Sequence, residues 1–480
     1  MEAGQWKQLL NEAAQGKAIR THSGKVQPGD IFIALSGEKV DGADFLPEAL
    51  ERGASWAVIP PFRAEATESD ARILDHPDPR QALGELARVR YRTGERRASL
   101  IGITGTNGKT TVSYLLEHLL RENGFRVGVM GTISYRWQGH EEQAALTTPD
   151  CLTLHETLHR MDQSGAEAIC MEVSSHALEQ HRLAGISFDA ALFLNLTQDH
   201  LDYHGDMEAY FQSKSRLFSE HLGKAGRAVV NMDDPYGQRL QREQGIERGF
   251  GLSSDCSGLA WCLQGRLLRA DREGLRLEMA SGEQSWHLQS RLIGAHNASN
   301  LLAAQAVGLL MGLRAEQLTA LEAFRGVPGR LEWVANSQSL HVFVDYAHTP
   351  DALENVLLSL RGLDFGRVFV VFGCGGDRDR KKRPLMGRVV SRHADVAVLT
   401  SDNPRHEDPR GIMDDVLPGM DGRARVIEEA DRRRAIGLAL EELGPDDVLL
   451  IAGKGHEDYQ QVGDTRLPFS DTAVVQELLL

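Results

Sequence analysis

Several features that mark particular protein classes are scarce in this sequence of 480 residues. There are only five cysteines, with no Cys-x-x-Cys pair: Cys151, Cys170, Cys256, Cys262 and Cys374. This scarcity favours reduced thiols in a cytosolic protein over a disulfide framework or a zinc site. No apolar run approaches the length of a membrane span, and the polar first residues do not resemble a signal peptide. The sequence therefore predicts a cytoplasmic protein without membrane insertion.

Basic residues are also fewer than acidic ones, since the chain has 53 Lys and Arg against 68 Asp and Glu, for a formal net charge of −15. A general nucleic-acid-binding protein carries a basic face that attracts the phosphate backbone. We therefore predict no nucleic-acid partner, although local basic pockets for phosphate are compatible with this charge. Short repeats and low-complexity tracts are absent from the sequence. The hydrophobic content of 41% is ordinary for globular domains, and the length suggests about three of them.

The most informative stretch is a glycine-rich turn between an apolar run, residues 98–103, and a helical pattern, residues 110–121. A strand, a glycine loop and a helix form a phosphate cradle, because backbone N–H groups and the helix N-terminus converge on an anion. Lys109 can reach terminal phosphates, and the Thr110 hydroxyl can bind Mg²⁺. The residues predicted to bind nucleotide are Gly105, Thr106, Asn107, Gly108, Lys109, Thr110 and Thr111.

This phosphate loop, residues 105–110, departs from the strict P-loop spacing, because Ile103 stands where the first glycine would be. An ordinary glycine-rich turn between a strand and a helix is the alternative. The Lys-Thr-Thr run and the strand–loop–helix context favour nucleotide binding.

Strand-like runs alternate with helical patterns over residues 96–325, and the rhythm restarts at about residue 326. Such alternation predicts parallel sheets with crossover helices, and a second doubly wound unit after residue 326. Ligands of these sheets gather at the carboxyl ends of the strands. Glu172 and His200 follow buried strands, so we expect them at the edge that carries the phosphate loop. A smaller αβ segment, residues 1–95, precedes this stretch.

Glu172 and His200 are candidate Mg²⁺ ligands. A carboxylate that ends a strand beside a phosphate loop suits an ion that keeps waters and phosphate oxygens. Histidine is a less usual Mg²⁺ ligand, so helix capping or packing is the alternative for His200, although residues 197–204 are dense in polar groups. Lys214 lies in an amphipathic helix, and its spacing alone favours an exposed surface lysine.

Polar residues later in the chain suggest further contacts with small ligands. Asn297 precedes an Ala- and Leu-rich helix, where its side chain can bind an adenine or a loop backbone, or can cap the helix. Arg378 and Arg405 each follow a strand, as Gly453 and Glu457 do at the next strand. A guanidinium would face a carboxylate and Glu457 an ammonium, so these loops suggest a pocket for a small zwitterion. Charged surface loops are the alternative.

Five motifs resemble those of the Mur ligase family of peptidoglycan biosynthesis, in the family's order and across nearly the whole chain. They are Thr-Gly-Thr-Asn-Gly-Lys-Thr at 104–110, Glu-Val-Ser-Ser-His at 172–176, Asp-His-Leu-Asp-Tyr-His at 199–204, His-Asn-Ala-Ser-Asn at 296–300 and Asp-Tyr-Ala-His-Thr-Pro at 345–350. The resemblance implies a three-domain α/β architecture. A small N-terminal α/β domain (1–95) would bind uridine diphosphate, a central P-loop ATPase-like domain with a parallel sheet (96–325) would bind ATP, and a C-terminal Rossmann-like domain (326–480) would bind an amino acid.

The resemblance also implies an ATP-dependent, amide-forming ligase with a role in cell wall biogenesis, cell shape and cell division. Residues 402–405, Asp-Asn-Pro-Arg, look like the family's diaminopimelate signature, because lysine-adding relatives lack the arginine. The implied substrates are ATP, meso-diaminopimelate and UDP-N-acetylmuramoyl-L-alanyl-D-glutamate, whose glutamate carboxylate would form an acyl phosphate. We expect a monomer.

Residue by residue, the resemblance implies catalytic roles for Lys109, Glu172, His200 and Lys214. Mg²⁺ would be held by Thr110, Glu172, His200 and Lys214, the last as N6-carboxylysine, a carbamate derived from CO₂. The nucleotide side would also include Asn297 and Arg330. The muramoyl-dipeptide would contact Leu146, Thr147, Thr148, Ser174, Gln180 and Arg182. The uridine diphosphate would contact Ser23, with Glu38, Lys39 and Val40 nearby. The diaminopimelate pocket would comprise Arg378, Asp402, Asn403, Pro404, Arg405, Gly453 and Glu457.

The sequence departs from the family pattern at the uridine site. Relatives often carry Asp-Ser-Arg around the serine, whereas this chain has His22-Ser23-Gly24 followed by Lys25.

Two other functions share part of this pattern. A folylpolyglutamate synthetase shares the ATP machinery, but those enzymes begin close to the phosphate loop, unlike this chain. A nucleotide-gated binding protein would leave Glu172, His200 and Lys214 without a use.

Overall fold

The computed structural model describes residues 3–37, 40–61, 72–253, 256 and 258–480, with only the backbone described for Ala3 and Asp202. The chain forms two compact units. Unit 1 comprises Met1–Leu263 and Ala303–Leu318, and unit 2 comprises Gln264–Leu302 and Thr319–Leu480. Among the helices of these described residues, none has both the length and the apolar character needed to cross a membrane.

The helices are α1 (Ala3–Ala14), α2 (Leu46–Glu51), α3 (Pro79–Arg90), α4 (Lys109–Glu122), α5 (Cys151–Gln163), α6 (Ser175–Glu179), α7 (Leu201–His204), α8 (Met207–Ser219), α9 (Pro235–Gln244), α10 (His296–Leu310), α11 (Ala315–Leu318), α12 (Pro350–Arg361), α13 (Lys382–His393), α14 (Pro409–Val416), α15 (Arg432–Glu442) and α16 (Asp471–Leu478).

The strands are β1 (Ile19–Arg20), β2 (Ile31–Ile33), β3 (Trp56–Ile59), β4 (Ile73–Asp75), β5 (Ser99–Thr104), β6 (Val127–Met130), β7 (Ser134–Trp137), β8 (His140–Gln143), β9 (Ala168–Glu172), β10 (Phe188–Phe193), β11 (Leu222–Asn231), β12 (Arg248–Gly251), β13 (Trp261–Asp271), β14 (Gly274–Ser281), β15 (Gln284–Ser290), β16 (Glu332–Trp333), β17 (His341–Asp345), β18 (Val368–Phe372), β19 (Val396–Leu399), β20 (Arg425–Glu428), β21 (Val448–Ala452), β22 (Tyr459–Val462) and β23 (Thr465–Pro468).

Unit 1 begins with a four-stranded parallel sheet in the order β1-β2-β3-β4. Apolar residues of α1 and α3 pack on one face of this sheet, and those of α2 pack on residues from its other face. The α3 helix begins at Pro79, because the preceding Asp78 is an N-cap whose carboxylate accepts hydrogen bonds from the backbone N–H groups of Arg80 and Gln81. Pro79 occupies the first helical position, where no backbone donor is needed.

The main sheet of unit 1 has six parallel strands in the order β12-β11-β10-β5-β9-β6, followed by β7 and β8 in antiparallel pairing. Its registers align the carboxyl ends of the central strands. Ile103 of β5 pairs with Glu172 of β9, and Thr104 pairs with Phe193 of β10. The phosphate loop, Glu172 and the segment after β10 therefore begin at one edge of the sheet.

Unit 2 contains a six-stranded sheet in the order β16-β17-β21-β18-β19-β20, with parallel pairing except between β16 and β17. Helices α12, α13 and α14 contribute to the core on one face, and α15 and α16 contribute to the core on the other. This arrangement confirms the predicted doubly wound unit. The strands β22 and β23 form a separate hairpin. The strands β13, β14 and β15 form a three-stranded antiparallel group.

The cysteines differ in one respect from the expected reduced thiols. Cys256 and Cys262 form a disulfide, with their Cα atoms 6.1 Å apart. This distance is within the usual Cα separation for such a bond. Cys151, Cys170 and Cys374 are free and buried.

Candidate active site

The phosphate loop of unit 1 connects β5 to α4, and its lysine is folded over it. Gly108 immediately precedes α4 with a φ of 87°, a left-handed conformation that glycine adopts readily. The Lys109 Nζ donates hydrogen bonds to the carbonyl oxygens of Gly105 at 2.8 Å and Thr106 at 2.9 Å. The ammonium group is thereby held beside the backbone turn that the sequence predicts to bind phosphate.

Glu172, at the end of β9, is almost fully buried and receives hydrogen bonds on both carboxylate oxygens. Oε2 accepts from the hydroxyls of Thr110 at 3.0 Å and Thr132 at 2.9 Å. Oε1 accepts from the Thr132 backbone N–H at 3.1 Å and the Ser113 hydroxyl at 3.4 Å. The carboxylate thus lies directly beside the Thr110 hydroxyl, and both are oxygen donors of the kind that Mg²⁺ prefers.

Lys214 is 1% exposed and points to the phosphate loop from α8. Its Nζ donates to the Gly105 carbonyl oxygen at 3.0 Å, the same oxygen that Lys109 contacts. Burial, and then the charge of Lys109, hold the pKa of Lys214 well below its usual range, while Asp199 opposes this shift. The interpretation from spacing alone, an exposed lysine, is wrong, because α8 packs its Lys214 side into the protein.

His200 lies at the start of α7, with a φ of 52° and a side chain that is 48% exposed. Its Nε2 is 3.5 Å from a carboxylate oxygen of Asp199, and its ring lies edge-on to that of His176, with the centroids 4.8 Å apart. In the described part of the chain, no group of three or more His, Cys, Asp or Glu residues could hold a metal ion.

Four of the residues predicted to contact the muramoyl-dipeptide, Thr148, Ser174, Gln180 and Arg182, form one hydrogen-bonded group next to Glu172. The Thr148 hydroxyl donates to the Glu172 carbonyl oxygen at 2.8 Å and accepts from the Ser174 backbone N–H at 3.0 Å. Arg182 donates to the Thr148 carbonyl oxygen at 2.9 Å and to Gln180 Oε1 at 2.6 and 3.0 Å. These contacts place a guanidinium and an amide at the edge of the sheet that also carries the phosphate loop.

Two more members of this predicted set precede α5. The Thr147 hydroxyl lies 3.1 Å from that of Thr132, which links it to the Glu172 carboxylate. The side chain of Leu146 is 46% exposed, and its carbonyl oxygen accepts a hydrogen bond from the Tyr135 hydroxyl.

Ser23 lies in the first sheet region and is buried. Its hydroxyl donates to Glu48 Oε2 at 2.7 Å. Val40 is 54% exposed, and Glu38 and Lys39 lie outside the described residues.

The predicted amino-acid pocket lies in unit 2, at the carboxyl ends of β19 and β21. Asn403 donates through Nδ2 to Glu457 Oε2 at 2.9 Å, which joins the two loops. Gln460 donates to the carbonyl oxygen of Asp402 at 2.7 Å. Gly453 has a φ of 113°, and a Cβ at this position would lie 3.3 Å from the Asp402 carboxylate. The glycine therefore allows a close approach between the two strand ends.

Arg405 reaches the loop that carries Arg378. Its Nη1 donates to the Gly376 carbonyl oxygen at 2.7 Å, and its backbone pairs with that of Gln461 in β22. Arg378 is exposed on the same loop. A Cβ at Gly376 would lie 1.9 Å from the Pro404 carbonyl oxygen, so the two loops are in direct contact. The two arginines thus occupy adjoining loops, as the zwitterion hypothesis requires.

Asn297 and Arg330, predicted to lie on the nucleotide side, also belong to unit 2. The Asn297 amide donates to the Ile293 carbonyl oxygen at 2.8 Å and accepts from Asn300 at 2.9 Å. The Arg330 guanidinium lies 5.1 Å from the centroid of the Tyr346 ring.

Three family models match the chain in order. The Mur ligase family catalytic domain matches residues 17–91, the Mur ligase middle domain matches 103–308, and the glutamate ligase domain of Mur ligases matches 329–455. This chain belongs to the Mur ligase family.

Similar proteins include members with a stated substrate. A UDP-N-acetylmuramoyl-L-alanyl-D-glutamate–2,6-diaminopimelate ligase from Lawsonia intracellularis is 51% identical over 457 residues, which are 95% of each chain. A solved structure of a ligase with the same name is 35% identical, with a TM-score of 0.71 over 96% of this chain and 94% of that one. Folylpolyglutamate synthase from Mycobacterium tuberculosis, solved with ADP and AMPPCP, shares the fold at 18% identity and a TM-score of 0.61, over 78% of this chain and 92% of that one.

Some residues that shape this Mur ligase site were not predicted. Thr132 and Ser113 hold the Glu172 carboxylate, and Glu48 holds Ser23. Thr132 lies two residues after the end of β6, at Met130. A threonine in that position is only a weak signal of a functional site, because many turns contain threonine. In the structure Lys214 is buried on the same side of α8 as the apolar residues Tyr210, Phe211, Leu217 and Phe218.

Concave volume alone does not mark the site of this Mur ligase. A cavity of about 590 Å³ is lined by Arg97, Arg126, His159 and Asp162, among others. These residues lie near the amino ends of β5, β6 and β9 and the end of α5. Ligands of parallel sheets gather at the opposite edge, where the phosphate loop lies.

Proposed function

We propose that this chain is an ATP-dependent ligase that adds meso-diaminopimelate to UDP-N-acetylmuramoyl-L-alanyl-D-glutamate in peptidoglycan synthesis. The observation that carries this proposal is the 51% identity, over 95% of both chains, with a relative of that name. The adjoining loops of Arg378 and Arg405 support it, because two guanidiniums suit an amino acid with two carboxylates. We further propose domain boundaries at residues 1–95, 96–325 and 326–480, and a monomer that acts in the cytoplasm.

In the first step, the γ-phosphoryl group of ATP passes to the glutamate carboxylate of the dipeptide and gives an acyl phosphate. Catalysis of such a transfer is mainly positioning and charge neutralisation. Lys109 would move its ammonium from the loop carbonyls to the phosphate oxygens. Arg182 and Gln180 would orient the dipeptide beside the same sheet edge. The amine of diaminopimelate then attacks the acyl carbon, and phosphate leaves.

Thr110 and Glu172 would hold Mg²⁺, with His200 as a further contact, since two of these groups are oxygen donors placed side by side. Bound there, the ion would supply positive charge for the phosphate oxygens. The Thr132 and Ser113 hydrogen bonds keep the Glu172 carboxylate in place for this role.

Lys214 is proposed to be carbamylated. A neutral amine attacks CO₂, forms a carbamate anion and releases a proton. The lowered pKa of Lys214 favours the neutral amine, and its place beside the phosphate loop gives the new anion a cation to support. We expect ¹³CO₂ to give one carbamate carbonyl signal in ¹³C spectra of the wild type, and none in Lys214→Ala. A bare ammonium at Lys214 with Mg²⁺ bound would contradict this assignment.

The function is tested by phosphate release from ATP with the UDP-linked dipeptide, in the presence and absence of meso-diaminopimelate. Release that depends on both acceptors supports the proposal. Arg405→Ala is expected to reduce kcat/KM for diaminopimelate at least about 100-fold, since loss of one side of a buried guanidinium–carboxylate pair costs roughly 3–5 kcal/mol. Arg410→Ala, an exposed arginine on α14, is the matched control and should leave kcat/KM unchanged.

The same assay separates the alternatives. Release that depends on a folate and glutamate would identify a folylpolyglutamate synthetase. No release with any acceptor, despite nucleotide binding, would favour a binding protein without ligase chemistry.

A further inference from the structure

Lys454 is a buried cation within the predicted diaminopimelate pocket, and none of the roles above involves it. It lies just after β21, between Gly453 and Glu457, and its side chain has no exposed surface. Its Nζ is 3.1 Å from Glu457 Oε2, 3.2 Å from Asn403 Oδ1 and 3.6 Å from Asp402 Oδ1. One ammonium group therefore contacts three of the side chains predicted to surround the amino acid.

The charges around Lys454 explain why a cation is needed there. Burial raises the pKa of Asp402, the charges of Arg432 and Lys454 oppose that rise, and Glu457 adds to it. Two neighbouring carboxylates repel each other, and a cation between them offsets this repulsion. Lys454 is such a cation, because its Nζ lies within 4 Å of both carboxylates.

The contacts also orient Glu457. Its Oε2 accepts hydrogen bonds from Asn403 Nδ2 at 2.9 Å and from Lys454 at 3.1 Å. Within the described residues, the other oxygen, Oε1, accepts no hydrogen bond. A carboxylate has room for further donors on such an oxygen, and an ammonium group is a strong one.

We propose that Lys454 is a positioning residue for the recognition of diaminopimelate, acting through Glu457 and Asn403 so that Glu457 Oε1 receives the ammonium group remote from the reacting amine. This inference rests on the proposed function. It assigns to Lys454 an effect on the choice and binding of the amino acid, and none on phosphoryl transfer to the dipeptide.

The test compares the wild type with Lys454→Met, which keeps the length of the side chain and removes its charge. We expect KM for meso-diaminopimelate to rise at least about tenfold, because the substitution removes the ammonium group that contacts Glu457 and Asn403. KM for ATP and for the UDP-linked dipeptide should stay within about twofold of wild type. Lys454→Arg, which restores the charge, should recover part of the loss.

A substrate analogue separates positioning from a general weakening of the fold. 2-Aminopimelate keeps the reacting amine and both carboxylates but lacks the remote ammonium. The wild type should prefer meso-diaminopimelate, and this preference should fall at least about tenfold in Lys454→Met, since its basis is the Glu457 contact. In a double-mutant cycle, Lys454→Met should add little to Glu457→Gln.

Arg367→Met is the matched control, because Arg367 also pairs with a buried carboxylate of unit 2, Asp447, but lies at the amino end of β18. It should leave the substrate preference unchanged. An unchanged preference in Lys454→Met, or additive effects with Glu457→Gln, would overturn the inference. If Lys454→Met does not fold, Lys454→Gln takes its place under the same criteria. A wild type without any diaminopimelate-dependent phosphate release would overturn the proposed function, and this inference with it.

Discussion

Gly131 shows how closely single residues are fitted around the Glu172 carboxylate. A Cβ at this position would lie 2.3 Å from Glu172 Oε1, so any larger residue must displace that carboxylate. We expect Gly131→Ala to lower kcat at least about tenfold, while the free energy of unfolding falls by about 1–3 kcal/mol. Phosphate release and urea unfolding measure the two effects. Gly4→Ala, in α1 with no atom within 4 Å of the new Cβ, is the control and should retain full activity.

His155 gives unit 1 a sensitivity to acid at the level of one side chain. It is fully buried between the Thr93 hydroxyl at 2.6 Å and the Ala184 carbonyl oxygen at 2.9 Å. Burial lowers the pKa of His155 from 6.5 to about 4. Between these two pH values, His155 binds a proton in the unfolded chain but not in the folded one. The contribution of His155 to the free energy of unfolding is therefore fully present above pH 6.5 and declines as the pH falls towards 4.

This decline amounts to about 3 kcal/mol in total from His155. Urea unfolding at a series of pH values measures it. His155→Gln removes the titrating group, so its free energy of unfolding should depend less on pH in this window than that of the wild type. Equal slopes for the two proteins would contradict the assignment.

At the scale of elements, the C-terminal helix α16 is joined to α15 by a buried ion pair. Arg432 donates from Nε and Nη2 to the two carboxylate oxygens of Asp471, each at 2.8 Å, and neither side chain is exposed. We expect Arg432→Met to lower the free energy of unfolding by roughly 3–5 kcal/mol, because Asp471 is left buried without its partner. The double variant Arg432→Met with Asp471→Leu should recover most of this loss in urea unfolding. A double variant as unstable as the single one would show that the pair is not the cause.

The elements that were predicted well are those with a strong local pattern. The apolar run at 98–103 and the helical pattern at 110–121 are β5 and α4. The second doubly wound unit, predicted after residue 326, contains the neighbouring parallel strands β17, β21, β18 and β19. By contrast, β20 was not predicted, because it lies at the sheet edge and half of its residues are exposed, so it carries little hydrophobic signal.

At the scale of the whole molecule, the two compact units have separate hydrophobic cores. The predicted diaminopimelate residues belong to unit 2, and the phosphate loop belongs to unit 1. We expect calorimetry of the ligand-free protein to give an enthalpy above the van't Hoff value, as in multidomain proteins. meso-Diaminopimelate at about 100 times its Kd should stabilise unit 2 alone, by about 2.7 kcal/mol. Hydrogen exchange locates that protection, and equal protection in both units would contradict this expectation.

The sequence by itself determined the phosphate loop, the alternation of strands and helices, and the membership of the Mur ligase family. Each of these depends on a short, contiguous pattern of residues, such as the Gly-x-x-Gly-Lys-Thr run at 105–110. The site residues implied by the family resemblance remain predictions for ligand-bound experiments. The structure brings Thr110, Thr148 and Ser174 together beside Glu172 in unit 1, and Asn403 beside Glu457 in unit 2.

Only the tertiary structure decided which polar groups are buried and which partners they have. Thr132 contacts Glu172 because β6 and β9 are neighbours in the main sheet. Lys454 contacts Glu457, which like Lys454 follows β21, and Asn403, which follows β19. The contacts of Thr132 with Glu172 and of Lys454 with Asn403 join residues 40 and 51 positions apart, so no local sequence pattern predicts them. Their pairing arises because long-range packing excludes water, and a buried charge then needs a partner at a few ångströms.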